Sequence, residues 1–509
     1  MVLKILAVAY SYFPTEYTVH AVTALVVVLS ARAISQGRKT TRERDLHARV
    51  ILLTGAFSPT GLTLLESLAQ RGAHIIALCA EAVDSEKVTT YIELLRSTTS
   101  NAQIFAEQCD LASPPSIQAF CARFLSGQEQ RLDALLFTHE FRHVGALRFL
   151  SRSKDATKEE EGRREEASLA TFLLTTLLLP ALLTAPVERD IRIVNVVNRF
   201  YPAAAAAPSM SLSAPFALAS ASTASLKSTS TFPTPKSTST FLLEGARALR
   251  TILLTRHLQR ILDSLPAAQI PKTSADGHAP VPVVSPKAQK SNIVAVSVSP
   301  GISRVETVAP LLNADWVAPG YSLLGIVLYI LAYPLLLLLT KSSAATIQSV
   351  LHVLFLPTPF KVLAALNADP DSAPNPKFAD AEPEEVLKPG ALYAECAVVR
   401  LDVGVSEKEK EREAAAEAEK RAEATAGAAK GKGKGKHKGE EEKREEVLEV
   451  PDDGELGGEL AGRLVWEAYE AGLKAWEAAH PPAPAAAAGG AATGPAGPAP
   501  SNVPSTAAT

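Results

Sequence analysis

The absences in this chain narrow its chemistry before any motif does. Only four cysteines occur in 509 residues, Cys79, Cys109, Cys121 and Cys396, and no two of them have CxxC spacing. That excludes a disulfide-stapled scaffold and a cysteine-ligated metal site, and it reads as reduced, buried small side chains of a cytosol-facing domain. A basic excess is also missing, since 51 Lys and Arg against 54 Asp and Glu leave a formal net charge of −3. With no electrostatic footprint for a polyanion, no nucleic-acid partner is expected. Charge is wholly absent from two stretches, Tyr17–Ala31 and Trp316–Thr340. What remains is 47% hydrophobic, in a chain long enough for one α/β domain and roughly 150 further residues.

The most informative stretch is VILLTGAFSPTG, residues 50–61. A short uncharged apolar run breaks into a turn holding Gly55 and Gly61, and the helical pattern LTLLESLAQRG follows. Strand, phosphate-sized turn and helix N-terminus come in the order a dinucleotide needs, because unpaired N–H groups and the positive end of the helix dipole meet the pyrophosphate charge. The strand AHIIALCA (Ala73–Ala80) comes next and FAEQCDLASPPSIQAF (Phe105–Phe120) after it, a β-α-β-α-β progression that predicts a Rossmann-type, doubly wound parallel sheet.

From about residue 48 to residue 402 the chain resembles the short-chain dehydrogenase/reductases, and within them the retinol-dehydrogenase-like branch. Seven pieces carry the resemblance, in order: TGAFSPTG, CDLAS (Cys109–Ser113), LDALLFT (Leu132–Thr138), FLLTTLLLPALL (Phe172–Leu183), RIVNVVN (Arg192–Asn198), ILLTRHLQRIL (Ile252–Leu262) and VSVSPGIS (Val296–Ser303). The resemblance implies a bound NAD or NADP. The cofactor-binding residues it implies are Thr54, Gly55 and Gly61 at the turn, Asp110 at the adenine, and Pro300 and Gly301 in the loop facing the nicotinamide. Pro59 replaces the middle glycine of the turn and brings no N–H, so binding is expected to be weak. Ala80 stands where NADP-preferring relatives carry Arg, which leaves NAD and NADP unseparated.

The same alignment removes the chemistry. Where the family carries the Tyr and Lys that exchange a proton with the substrate oxygen, this chain has Glu244 and Ala248. Its Ser becomes Asn198, the Asn of the helix before FLLT becomes Ala167, and the Asn-Asn-Ala-Gly turn becomes Phe137, Thr138, His139 and Glu140. No Tyr in the chain has a Lys four residues later. Phe232 and Lys236 have the spacing, but Pro233 and Pro235 forbid a regular helix there. No catalytic residue and no metal ligand is therefore assigned.

The uncharged run Tyr17–Ala31, followed by Arg32, Arg38, Lys39, Arg42 and Arg44, reads as an uncleaved anchor with its basic flank in the cytosol. Trp316–Thr340 and the following Lys341–Pro357 are expected to form a membrane-dipping helix pair kinked at Pro334. The expected organisation is an anchor and basic flank over 1–45 and a Rossmann domain over 46–402, with disordered loops at 199–240 and 264–290 and the dipping segment at 316–357. A charged low-complexity insertion over 403–450, a terminal helix over 451–480 and a disordered Ala/Pro/Gly tail over 481–509 follow. Ala391–Leu401 is expected to be one edge strand. The functional expectation is a membrane-associated, catalytically impaired relative of these enzymes serving as a nucleotide-sensing or interaction module. The alternative is an active NAD(P)-dependent oxidoreductase on a lipidic alcohol or carbonyl. Membrane lipid, and a lipidic small molecule, are the expected partners, with the main domain in the cytosol and the endoplasmic reticulum as the expected organelle.

Overall fold

The structure, a computed structural model, describes residues 18–127, 131–142, 144–147, 149–150, 154–186, 189–205, 239–265, 292–315, 321–359, 385–404 and 453–481, and the single residues 212, 216, 410, 411 and 415. Phe232, Lys236, most of the 403–450 insertion and the tail after 481 lie outside the described residues.

Eight strands form one sheet: β1 (Val50–Thr54), β2 (His74–Cys79), β3 (Ile104–Gln108), β4 (Ala134–Phe137), β5 (Ile191–Val196), β6 (Ile293–Ser299), β7 (Leu392–Ala394) and β8 (Ala397–Val399). Their spatial order is β3-β2-β1-β4-β5-β6-β7-β8, parallel throughout except for the antiparallel β7–β8 pair. The order reverses between β1 and β4, which opens a crevice at the carboxyl ends of those strands. Central strands buried on both faces read as unbroken apolar runs. Thus Val50 and Leu52 of β1 enter one core, and Ile51 and Leu53 the other.

The first core packs against α4 (Pro114–Ser126), α5 (Lys154–Leu183), α6 (Thr240–Ser264) and α9 (Gly458–Ala479), and the second against α2 (Pro59–Ala69), α3 (Glu86–Thr99) and α8 (Gln348–Phe355). Arg192 of β5 fixes α8, donating to Val353 O at 2.6 Å and Leu356 O at 2.6 Å while paired with Asp190 at 2.8 Å. This corrects the expected dipping pair over 316–357. Its second half lies under the sheet, where an apolar helix answers an apolar strand face, and only α7 (Leu323–Leu339) is left at the surface.

α7 is pinned at both ends, by Ser322 N donating to Asn313 O and by Lys341 N donating to Ile302 O. Beside its C-terminus docks α1 (Thr18–Gln36), with Ser35 Oγ on Leu338 O at 2.6 Å and Gln36 Nε2 on Thr340 O at 3.0 Å. The outer surfaces of both are apolar and exposed, with Val19 70% and Leu331 79% exposed.

Two further expectations are revised. The stretch Ala391–Leu401 is a hairpin and not one strand, because Glu395 and Cys396 both take left-handed backbone angles (φ 53° and 59°), which reverse the chain in a tight turn. The loop expected to begin at 199 starts with a helical turn, Tyr201–Ala205, whose Tyr201 and Ala204 are buried. Apart from Leu212, Phe216, Ser239 and Thr240, the rest of that loop, and 266–290, lie outside the described residues. α9 does form within 451–480. Tyr469 and Trp476 are fully buried, and Tyr469 rests 5.4 Å from the Phe172 ring of α5. Truncating Trp476 to Ala is expected to lower unfolding stability by about 3–5 kcal/mol, read by denaturant melting. A loss under about 1 kcal/mol would mean that α9 is not part of this core.

Candidate functional site

The turn after β1 brings the backbone of α2 directly onto the strand end. Gly55 has φ 66°, and a Cβ on Gly61 would fall 2.1 Å from Gly55 O, so neither position accepts a side chain. Ser58 is the N-cap, its Oγ accepting from Gly61 N at 3.0 Å. Ser58 N donates to Gly55 O and Leu62 N to Ser58 O. Pro59 has no N–H. The remaining donor, Thr60 N, is held at 2.8 Å by Oε1 of Glu306, a residue 1% exposed in the π-helical turn Arg304–Val308 after β6. Every N–H at this helix start is thus satisfied within the chain, and a carboxylate sits where the fold offers its positive end to phosphate. The helix start therefore offers a pyrophosphate fewer uncommitted N–H groups than the fold ordinarily does.

The other half of the crevice is open. A cavity of about 390 Å³ lies beside the turn, lined by Gly55, Phe57 and Ser58, by Leu78 to Glu81 at the end of β2, by Cys109 to Ala112 after β3, and by Lys87, Val88, His139, Arg142, Arg163 and Ala167. Asp110 Oδ1 accepts from Ala112 N at 3.0 Å, and Ser113, not Asp110, is the N-cap of α4. Glu81 pairs with Lys87 at 2.6 Å on the cavity rim. Burial pushes the Cys109 thiol up to about 12, so it supplies no nucleophile at neutral pH. Burial also lowers the pKa of His139, against the opposing pull of Glu140. Its ring meets Thr54 Oγ1 at 2.8 Å and Ala167 O at 2.9 Å.

Glu244, which the resemblance sets against the family's proton donor, sits in a buried ionic network. Glu244, on the first turns of α6, is 2% exposed. It pairs with Arg164 of α5 at 2.8 Å and Arg247 at 2.6 Å, and accepts Gly145 N at 3.1 Å. Asn198 Nδ2 donates to Glu244 O at 3.3 Å, which places the end of β5 beside α6. Deeper in, Glu140 accepts hydroxyls from Thr171 at 2.5 Å, Thr251 at 2.9 Å and Ser168 at 3.3 Å. Desolvation lowers Arg164 and raises Glu165. Among the described residues no group of three or more His, Cys, Asp or Glu could hold a metal ion.

The structure gathers only some of the residues expected at a cofactor. Gly55 and Asp110 line the cavity. Thr54 and Gly61 lie behind it, Thr54 tying β1 to β4 by accepting Thr138 N at 3.2 Å. Pro300 and Gly301 are outside the lining and are covered by Lys341, whose Nζ donates to Pro300 O at 2.8 Å. Sequence reasoning missed Glu306. Its only signal was the Ser303-x-x-Glu306 spacing of a capping box, and Ser303 Oγ does accept Glu306 N at 3.3 Å.

No protein-family model matches the chain. It is 31% identical over 186 residues to an uncharacterised oxidoreductase of Saccharomyces cerevisiae, covering 36% of this chain and 45% of that protein. It is 30% identical over 190 residues to an uncharacterised oxidoreductase of Schizosaccharomyces pombe, covering 36% and 48%. Human retinol dehydrogenase 12 is 30% identical over 172 residues, covering 34% and 50%. The chain thus spans about half the length of these relatives. A solved short-chain dehydrogenase from Shigella flexneri is similar at 14% identity and a TM-score of 0.40, over 72% of this chain and 98% of that one.

Because Thr60 N stays engaged, Pro59→Gly alone is expected to raise NADH or NADPH affinity by no more than about five-fold, the worth of one added donor. Fluorescence titration of the two proteins checks this, and a gain of about a hundred-fold would show that Pro59 was the sole obstruction.

Proposed function

We propose that this chain, a member of the short-chain dehydrogenase/reductase superfamily in its retinol-dehydrogenase-like branch, acts as a membrane-held ligand-sensing or interaction module in which hydride-transfer chemistry has been lost. The carrying observation is Glu244. It stands at the proton-donor position but is buried and bound by two guanidinium groups and a backbone N–H, and Ala248 follows where a Lys would be needed. A general acid must reach the reacting oxygen; Glu244 does not line the cavity. NAD or NADP, if taken up, binds weakly, because Glu306 and Pro59 deprive the pyrophosphate of its donors.

The competing reading, an active NAD(P)-dependent oxidoreductase on a lipidic alcohol or carbonyl, needs Glu244 as its acid. The expected outcome is no turnover of retinoids, steroids or long-chain carbonyls above a protein-free control. Robust wild-type turnover that Glu244→Gln abolishes while the fold survives would establish that competing reading.

Membrane attachment is supported by α1 and α7. Two described helices are long and apolar enough to cross a bilayer, within Val19–Gln36 and Glu159–Leu183. The second belongs to α5 in the core, and the first is unburied. At 19 residues, α1 measures about 28 Å, close to a hydrocarbon core, and basic residues follow it. Lipid is accordingly the proposed partner, and α7 lies along the same surface. Removing residues 1–34 spares the docking bonds of Ser35 and Gln36. Flotation of the truncated protein with vesicles should weaken without vanishing, since α7 remains; complete loss of binding would deny α7 any part in attachment.

A further inference from the structure

The two exposed helices meet at one end. Ser35 and Gln36 of α1 reach Leu338 O and Thr340 O of α7, and Arg304 N, in the turn after β6, donates to Lys341 O at 3.3 Å just beyond that end. Two arginines therefore stand at the junction, Arg32 near the end of α1 and Arg304, brought together from distant parts of the chain. Their neighbours along the chain are apolar and exposed, Leu29 and Ile34 for the one, Ile302 and Val305 for the other. Both arginines are half-buried, and Nη1 of each is shielded from water with no hydrogen-bond partner among the described residues. Glu395, the carboxylate at this end of α7, is already paired with Lys341 and Arg199.

A guanidinium that is partly desolvated and lacks an acceptor is costly, and its fork of donors matches a phosphate. On an apolar surface set against a bilayer, the acceptors within an arginine's reach are headgroup phosphates. Charge decides which headgroup. Arg38 and Lys39 follow α1 and are exposed, so the junction is positive. The Tyr333 ring that could receive a choline ammonium already carries Arg304, whose guanidinium lies 5.4 Å from the ring centroid. We infer that the junction of α1 and α7 is a headgroup site for an acidic phospholipid, with Arg32 and Arg304 taking its phosphate. This rests on the reading that the two helices meet a membrane, and it names the lipid. Attachment then depends on what the membrane is made of as well as on how much apolar helix it buries.

The test is flotation of the purified full chain with vesicles of phosphatidylcholine alone and of phosphatidylcholine mixed with phosphatidylserine. Wild type should bind the mixed vesicles at least about tenfold more tightly. Arg32→Gln and Arg304→Gln should each lower that preference about fivefold, whereas Lys39→Gln, which removes one exposed charge of the flank, should lower it no more than about twofold. Equal binding of wild type to both kinds of vesicle overturns the inference and leaves membrane attachment in place. A folded Arg304→Gln protein that loses no more than Lys39→Gln does the same, since the preference is then diffuse attraction to the flank. Displacement of mixed vesicles by inorganic phosphate, at matched ionic strength, would make a free anion the ligand and overturn the lipid assignment. Absence of binding to every vesicle overturns both this inference and the attachment on which it rests. Should Arg304→Gln fail to fold, Arg32→Gln, on a helix outside both cores, carries the same comparison.

Discussion

The contact between Glu306 Oε1 and Thr60 N joins residues 246 positions apart, and the character of the crevice follows from it. The start of a helix leaves several N–H groups without intrahelical partners. Rossmann proteins that bind dinucleotides leave that deficit for the ligand to fill. Here Ser58, Pro59 and Glu306 fill it from within the chain, so the helix is complete when empty. Buried polar groups left unmade are costly; groups already made give a ligand little to gain. A turn whose donors are already engaged holds its shape without a ligand.

A similar exchange has taken place at the carboxyl ends of β4 and β5. Glu244 is held between two guanidinium groups, those of Arg164 and Arg247. Breaking one member of such a set leaves an uncompensated buried charge, which costs several kcal/mol. Residues locked this way are poor at the proton movements of catalysis, which need groups able to change charge near neutral pH. α9 then seals the far side, with Tyr469 near Thr251 at 3.4 Å, so the interior of α5 and α6 is built as core.

The sheet was legible because strands buried on both faces cannot hide their apolar runs, and Gly55 and Gly61 mark a turn where backbone passes close to backbone. The burial of Glu244 was not announced by the sequence. Arg164 lies in EEEGRREE, whose composition is that of a solvated surface, and only the packing of α5 on α6 turns it inward. Glu306 had the spacing of a local cap, and its bond to α2 exists only after β6 is laid in the sheet with β4 and β5 between it and β1. The error over Lys341–Pro357 has the same root: a helix beneath a sheet and a helix in a bilayer are written in the same residues, and the difference is Arg192, which grips the carbonyls of Val353 and Leu356.

The junction between α1 and the body has a mechanical consequence. Gln36 is bonded to Thr340 and Ser342, Thr40 approaches His352, and Arg44 pairs with Asp190 at 2.8 Å, so the stretch from the apolar helix to β1 is fastened along its length. A domain on a slack leash sweeps a hemisphere above the bilayer and meets partners at any height. One fastened in this way, with α1 embedded, keeps a single tilt and altitude. The mouth of its cavity would then be held at one fixed distance from any surface in which α1 is anchored.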